Sequence, residues 1–179
     1  MFLYTNTELY DTIILQQYLK FLKEIEIMVK ILFVCHGNIC RSPLAEFLMK
    51  DLVKKQGLEN DFYIESAATS NEEIGNSVYP PVKRILNDRG INCANKRARR
   101  MTCADYDKFD YIICMDSYNL RNMNYIASDT KGKYSRLLDF TKNPHDVADP
   151  WYSRDFATTE REIEQGCNAL LQYILNNLK

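Results

Sequence analysis

The 179-residue sequence predicts an α/β fold of three layers, a four-stranded parallel sheet flanked by helices. Three observations predict it. Apolar runs at 29–34, 62–66, 109–115 and 137–140 have the length and composition of buried strands. Stretches with helical spacing separate them, so the chain alternates strand and helix in the manner of parallel crossover units. A hydrophobic content of 46% gives one domain enough apolar surface to cover both faces of such a sheet.

Residues 1–27 form an extension ahead of a domain at 28–179. Leu9, Ile13, Ile14, Leu15, Tyr18, Leu19, Leu22 and Ile25 make an apolar stripe near helical spacing, with Lys20, Lys23 and Glu24 on the other face. The pattern predicts a helix and leaves its use open, between a loosely attached extension and a dimerisation or partner-docking helix. Its mixed charges argue against a membrane-surface helix. After the first strand, a helix at 42–55 carries Leu44, Phe47, Leu48 and Val53 inward and Lys50, Asp51 and Lys54 outward, and Gly57 ends it. The second strand at 62–66 leads into a polar loop at 69–75. Pro80 and Pro81 open a helix that runs through residue 88 and is closed by Gly90. Residues 95–100 are the most basic stretch and read as a solvated or loop-facing surface. The third strand at 109–115 runs into Asp116, which reads as a helix N-cap. The last strand, 137–140, is followed by a polar loop through residue 155 and a closing helix at 156–178, with Ile163, Leu170, Leu171, Ile174 and Leu178 toward the sheet.

The chemistry concentrates in residues 34–43, which read VCHGNICRSP. They form a strand-to-helix turn, at the carboxyl end of a strand where open sheets hold ligands, and at a helix N-terminus that attracts anions. Five residues separate Cys35 from Arg41. Over that span the backbone amides of His36, Gly37, Asn38, Ile39 and Cys40 can curl into a nest around a tetrahedral oxyanion, a phosphate-binding loop closed by the planar fork of Arg41. Cys35 lies beneath them as a nucleophile. Lowering its thiol pKa from about 8.5 by roughly three units takes ~4 kcal/mol, which amides, helix terminus and Arg41 supply together. Gly37 is expected to take φ > 0 where the loop turns, and Asn38 to tolerate a left-handed conformation and brace the loop.

The run Cys-x-Gly-Asn-x-Cys-Arg-Ser-Pro resembles the phosphate loop of the low-molecular-weight protein tyrosine phosphatases, and the likeness extends over residues 29–179. Asp149-Pro150-Trp151-Tyr152 matches the Asp-Pro-aromatic-aromatic signature of that family, and Met115-Asp116-x-x-Asn119 matches a further segment. The resemblance implies phosphotyrosine hydrolysis through a phosphocysteine on Cys35, with Arg41 binding phosphate and Asp149 as general acid and then base. It implies loop support from Asn38, Ser42 and Ser66, and a pocket for the substrate ring made by Ile39, Trp151 and Tyr152. Glu72 stands where many relatives carry an aromatic wall, so this side of the groove is expected to be less aromatic and to disfavour strongly acidic phosphopeptides. Lys96 stands where several relatives have His. Cys40 shares the loop with Cys35, and the resemblance suggests a reversible disulfide; a small packing residue is the equal alternative.

A net charge of −1 predicts no general affinity for nucleic acid or anionic membrane. No run is long enough to span a bilayer and no secretory signal is recognisable, so the six cysteines read as reduced thiols of a cytoplasmic protein, a monomer or weak homodimer. No metal and no cofactor are expected, and the partners are phosphotyrosine proteins or small aryl phosphates. Two rivals share the fold. Arginine phosphatases carry Thr where Ile39 stands, and arsenate reductases need a close cysteine pair that Cys93, Cys103 and Cys114 do not offer. A phosphotyrosine-binding regulator without turnover is the non-enzymatic alternative, against which Cys35, Arg41 and Asp149 are all intact.

Overall fold

The computed structural model describes residues 28–177, so the helix expected within 1–27 and the inward face expected of Leu178 lie outside the described residues. Four strands, β1 (Val29–Cys35), β2 (Phe62–Ala68), β3 (Tyr111–Cys114) and β4 (Tyr134–Arg136), form one sheet in the order β2-β1-β3-β4. All three neighbouring pairs are parallel. The helices are α1 (Arg41–Lys55), α2 (Pro80–Asp88), α3 (Cys103–Lys108), α4 (Ser117–Ile126), α5 (Pro150–Ser153) and α6 (Phe156–Asn177).

β1 is central and buried on both faces, as its unbroken apolar run requires. Ile31 and Phe33 point into a cluster with Leu44, Met49, Leu170 and Ile174 from α1 and α6. Leu32 and Val34 point the other way, into a cluster with Met101, Phe109 and Met123. The period of two along one strand therefore divides the interior into two layers of side chains. Helix α6 lies tight against the chain just after β4: a Cβ on Gly166 would stand 2.4 Å from Leu137 Cγ.

The sheet is as expected, but the last strand is not at 137–140. β4 is the three residues before it, and Leu137–Phe140 is a 3₁₀ turn. Asp139 causes this by reaching back: its carboxylate accepts from the Arg136 backbone N–H at 3.0 Å and from the Arg136 guanidinium at 2.7 Å, closing a turn where an extended chain was expected. Leu137 and Leu138 are both buried there, which is why the run looks like a strand. The polar stretch through 155, expected as loop, holds the short helix α5. Helix α3, too short to show periodicity, is begun by Thr102, whose backbone N–H donates to Asp105 Oδ2 at 2.8 Å. Two of the four cations of the basic stretch 95–100 are neutralised within the fold. Lys96 Nζ lies 2.7 Å from Glu46 Oε2, and the Arg99 guanidinium binds both Glu65 and Asp105, at 2.8 and 3.0 Å.

Candidate active site

Cys35 ends β1, and residues 36–40 cross from the strand to the first turn of α1 at Arg41. Because β1 lies between β2 and β3, this loop sits where the connections leave the sheet in opposite directions, the crevice in which open α/β sheets bind ligands. The loop turns at Asn38, which has φ 58°. Gly37 does not take a positive φ, contrary to expectation. Glycine serves close approach instead: a Cβ there would stand 3.0 Å from Glu73 Cγ on the adjoining loop, and the Glu73 side chain would have to give way.

Asn38 can hold the left-handed conformation because its side chain is satisfied on every side. Its Nδ2 donates to Ser42 Oγ at 2.9 Å and Ser66 Oγ at 2.7 Å, and its Oδ1 accepts from the Arg99 backbone N–H at 3.1 Å. The backbone N–H of Asn38 points to Cys35 Sγ at 3.3 Å, and Ser42 Oγ is 3.0 Å from the same sulfur. Ser42 and Ser66, expected beside the loop, are thus both within its hydrogen-bond frame. Behind them is a carboxylate not singled out from the sequence. Glu46, buried on α1, accepts from Ser66 Oγ at 2.6 Å and pairs with Lys96 Nζ at 2.7 Å and Lys50 Nζ at 2.5 Å. Lys96 also donates to the Ser66 carbonyl at 3.0 Å, so it braces the loop from where several relatives have His. The legible signal for Glu46 was its place four residues after Ser42 and three and seven before the apolar Met49 and Val53, on one stripe of α1.

Arg41 is only 3% exposed, and its guanidinium is divided between two carboxylates. Nη1 donates to Asp116 Oδ2 at 2.7 Å and to the Val147 carbonyl at 3.3 Å, and Nη2 donates to Asp149 Oδ2 at 2.6 Å. Burial works to lower the Arg41 pKa, but negative charge at Cys35, Asp149 and Asp116 outweighs it and raises the pKa above the ordinary guanidinium value. Asp116 is the expected N-cap of α4, its Oδ1 accepting from Asn119 N at 2.6 Å, and the second anchor of Arg41. Burial, with the charges of Cys35 and Asp149, pushes the Cys40 thiol up to about 12. All six cysteines are free thiols.

Asp149 caps α5, where its Oδ1 accepts from Trp151 N at 2.9 Å. Pro150 at the first position of that helix fixes the turn that aims the carboxylate at Arg41. Trp151 leans on Tyr79 at 5.7 Å between ring centroids, and Tyr79 stacks on Phe156 at 6.0 Å. Tyr79 also donates its backbone N–H to the Ile39 carbonyl at 2.9 Å, joining this aromatic wall to the loop. A cavity of about 710 Å³ gathers the expected residues: Cys35, His36, Gly37, Ile39, Cys40, Arg41, Glu72, Asp149, Trp151 and Tyr152 all line it. Asn38, Ser42 and Ser66 stand behind the lining. Glu72 is exposed and 2.9 Å from His36 Nε2, forming a polar lip where an aromatic wall is common in relatives. Asp116 and Asn119 of the Met-Asp-x-x-Asn segment line the cavity too, with Glu73, Tyr118 and Asn122, which were not singled out from the sequence. Among the described residues no group of three or more His, Cys, Asp or Glu side chains is arranged to hold a metal ion, and no helix is long and apolar enough to cross a membrane.

A buried thiol at a strand end, an amide loop, a buried arginine and a carboxylate at one aromatic-walled cavity define a class, the cysteine-dependent phosphatases. Comparison with known proteins narrows it. Residues 30–179 match the family described as low molecular weight phosphotyrosine protein phosphatase. The Bacillus subtilis low molecular weight protein-tyrosine-phosphatase YfkJ is 39% identical over 150 residues, covering 82% of this chain and 96% of its own. Its crystal structure superposes with a TM-score of 0.82 at 37% identity, over 85% of this chain and 98% of that one. The Sus scrofa low molecular weight phosphotyrosine protein phosphatase is 36% identical over 155 residues, covering 83% and 98%. The crystal structure of DARP, a drosophila arginine phosphatase, superposes with a TM-score of 0.74 at 29% identity, over 82% and 98%. The chain belongs to the low molecular weight phosphotyrosine protein phosphatase family and is an enzyme of that type.

Proposed function

We propose that this phosphatase hydrolyses phosphotyrosine in two displacements at phosphorus through a phosphocysteine on Cys35. The observation that carries the reading is the meeting of Cys35 Sγ, the Arg41 fork and the Asp149 carboxylate at one cavity walled by Trp151. In the first displacement the Cys35 sulfur attacks phosphorus, the S–P bond forms and the P–O bond to the tyrosine ring breaks. The loop amides and Arg41 hold the phosphoryl oxygens as charge spreads over them. Asp149 gives its proton to the departing phenolate, a role worth ~10²–10⁴ in rate. In the second displacement Asp149 takes a proton from water, the water oxygen attacks phosphorus, and the S–P bond breaks to return the Cys35 thiolate.

The ion pair between Arg41 and Asp149 gives these steps their order. A phosphoryl dianion is a better partner for the guanidinium fork than one carboxylate oxygen, so it takes Nη2 from Asp149. Released from Nη2, the Asp149 carboxyl is free to turn to the leaving group. Ile39, Trp151 and Tyr152 supply the apolar slot for an aryl phosphate, and an apolar Ile39 favours it over phosphoarginine. The enzyme acts in the cytoplasm as a monomer or weak homodimer on phosphotyrosine proteins or small aryl phosphates.

Steady-state hydrolysis of a phosphotyrosine peptide and a phosphoarginine peptide, in chelator and reductant, tests the reading. The expected result is turnover of phosphotyrosine that Cys35→Ser abolishes and Asp149→Ala slows by ~10²-fold or more. Preferential turnover of phosphoarginine would transfer the reading to the arginine phosphatases. No turnover of either would leave a phosphate receptor.

A further inference from the structure

The rim of the cavity carries opposite characters on its two sides. β1 lies between β2 and β3. The loop after β2 and the helix α4 after β3 therefore flank the phosphate loop from opposite directions. The first side brings Glu72 and Glu73, and the second brings Tyr118, Asn119 and Asn122.

Helix α4 has an outer face that nothing in the fold uses. Asn119 and Met123 are buried on its inner side. Tyr118, Arg121, Asn122 and Tyr125 recur at helical spacing on the outer side, and Tyr118 and Tyr125 are 71% and 88% exposed. Both rings are left in solvent, and their line begins at the cavity with Tyr118. The Arg121 guanidinium lies 4.4 Å from the centre of the Tyr118 ring, where the cation and the ring fix one another. Arg121 is exposed, and the contact that holds it is to the Tyr118 ring rather than to a carboxylate, so its charge is open to a ligand.

We infer that this face of α4 binds the segment of a substrate next to its phosphotyrosine, with Tyr118 and Tyr125 as platforms and Arg121 as the receptor of an acidic side chain. The continuity of the stripe with the catalytic cavity and the exposed cation select this occupant. The Glu72–Glu73 side repels the same charge, so the rim reads the polarity of a phosphopeptide: acid toward α4, base toward the loop after β2. The acidic lip thus disfavours acidic residues on one flank only. This rests on the phosphotyrosine reading above.

Two phosphotyrosine peptides of identical composition and opposite polarity, Asp-Asp-phosphotyrosine-Lys-Lys and Lys-Lys-phosphotyrosine-Asp-Asp, test it through the ratio of their kcat/KM values. Wild type is expected to prefer one of them about three- to tenfold at low ionic strength, less in high salt. Arg121→Glu is expected to erase or invert that ratio, and Arg121→Lys to keep its sign. Equal use of the two peptides, or a preference that Arg121→Glu leaves untouched, overturns the inference. Hydrolysis of a small aryl phosphate separates the two failures: wild type that turns it over without peptide polarity loses only this inference, whereas wild type inactive on it loses the phosphotyrosine reading as well. A concentration-dependent dimer abolished by Tyr125→Ala would assign the face to a second copy of the chain and also overturn it.

Discussion

At the residue scale the site depends on one left-handed asparagine. Asn38 combines a φ that a side chain ordinarily disfavours with three side-chain hydrogen bonds that reward it. Asn38→Ala retains the φ and loses the bonds, so the expected loss is about 2–4 kcal/mol of stability with a fall in kcat. Asn38→Gly is expected to recover about 1 kcal/mol of that without recovering kcat, since glycine relaxes the backbone but braces nothing. Urea unfolding midpoints and kcat for the two variants check this, and equal kcat in both and in wild type would remove Asn38 from loop support. The spacing of Cys35 and Arg41 made the loop legible, because a nest of amides needs a fixed number of residues. The division of labour between Gly37 and Asn38 was not. A positive φ and a close approach both select for small or permissive residues, and only the neighbouring Glu73 tells which one Gly37 serves. Glu46 was hidden because a glutamate on a helix ordinarily faces water, and its partners Ser66 and Lys96 are 20 and 50 positions away.

At the scale of elements, the parallel four-stranded sheet and the placement of the long helices followed from the alternation of apolar runs, but the strand order and the short elements made by local capping did not. Leu137–Phe140 has strand composition and is a turn because Asp139 binds back to Arg136. Helices α3 and α5 are a few residues each, and their signals are a capping box at Thr102 and an Asp-Pro pair at 149–150, which also occur in plain turns. The 3₁₀ turn has a mechanical part to play, because Leu137 fills the place where α6 would otherwise carry a side chain at residue 166. Gly166→Ala puts its methyl 2.4 Å from Leu137 Cγ, so a loss of about 1–3 kcal/mol is expected. Leu137→Ala opens a cavity and is expected to lose about 2–5 kcal/mol by itself. The pair should be less damaging than the sum of the two, since each change relieves the defect of the other. Strict additivity of the urea midpoints would show that the contact is not the constraint.

At the scale of the whole molecule, buried neutral acids make the fold sensitive to alkali. Burial raises the thiol of Cys40 from the ordinary 9.0 to about 12, and also raises the thiols of Cys114 and Cys167 and the phenol of Tyr134. Between pH 9.0 and about 12 the unfolded chain gives up the Cys40 proton while the folded chain keeps it. The unfolded state then binds fewer protons, and stability falls with pH, by about 1.4 kcal/mol per unit for each such group. Stability is expected to be level below about pH 9 with respect to these groups and to drop steeply above it. A urea midpoint unchanged up to about pH 11 would contradict the burial of these groups. Function at this scale is the convergence of β1, α1, α4 and α5 on one cavity, which bring the thiol, the arginine, the second anchor and the acid from points 35 to 149 of the chain. The most direct measurement is rapid-quench mass spectrometry of Asp149→Ala mixed with a phosphotyrosine peptide. The expected result is a phosphoryl group on the peptide that contains Cys35, formed with the release of tyrosine peptide and absent in Cys35→Ser. Turnover with no phosphoryl group on Cys35 at any quench time would contradict the two-displacement mechanism.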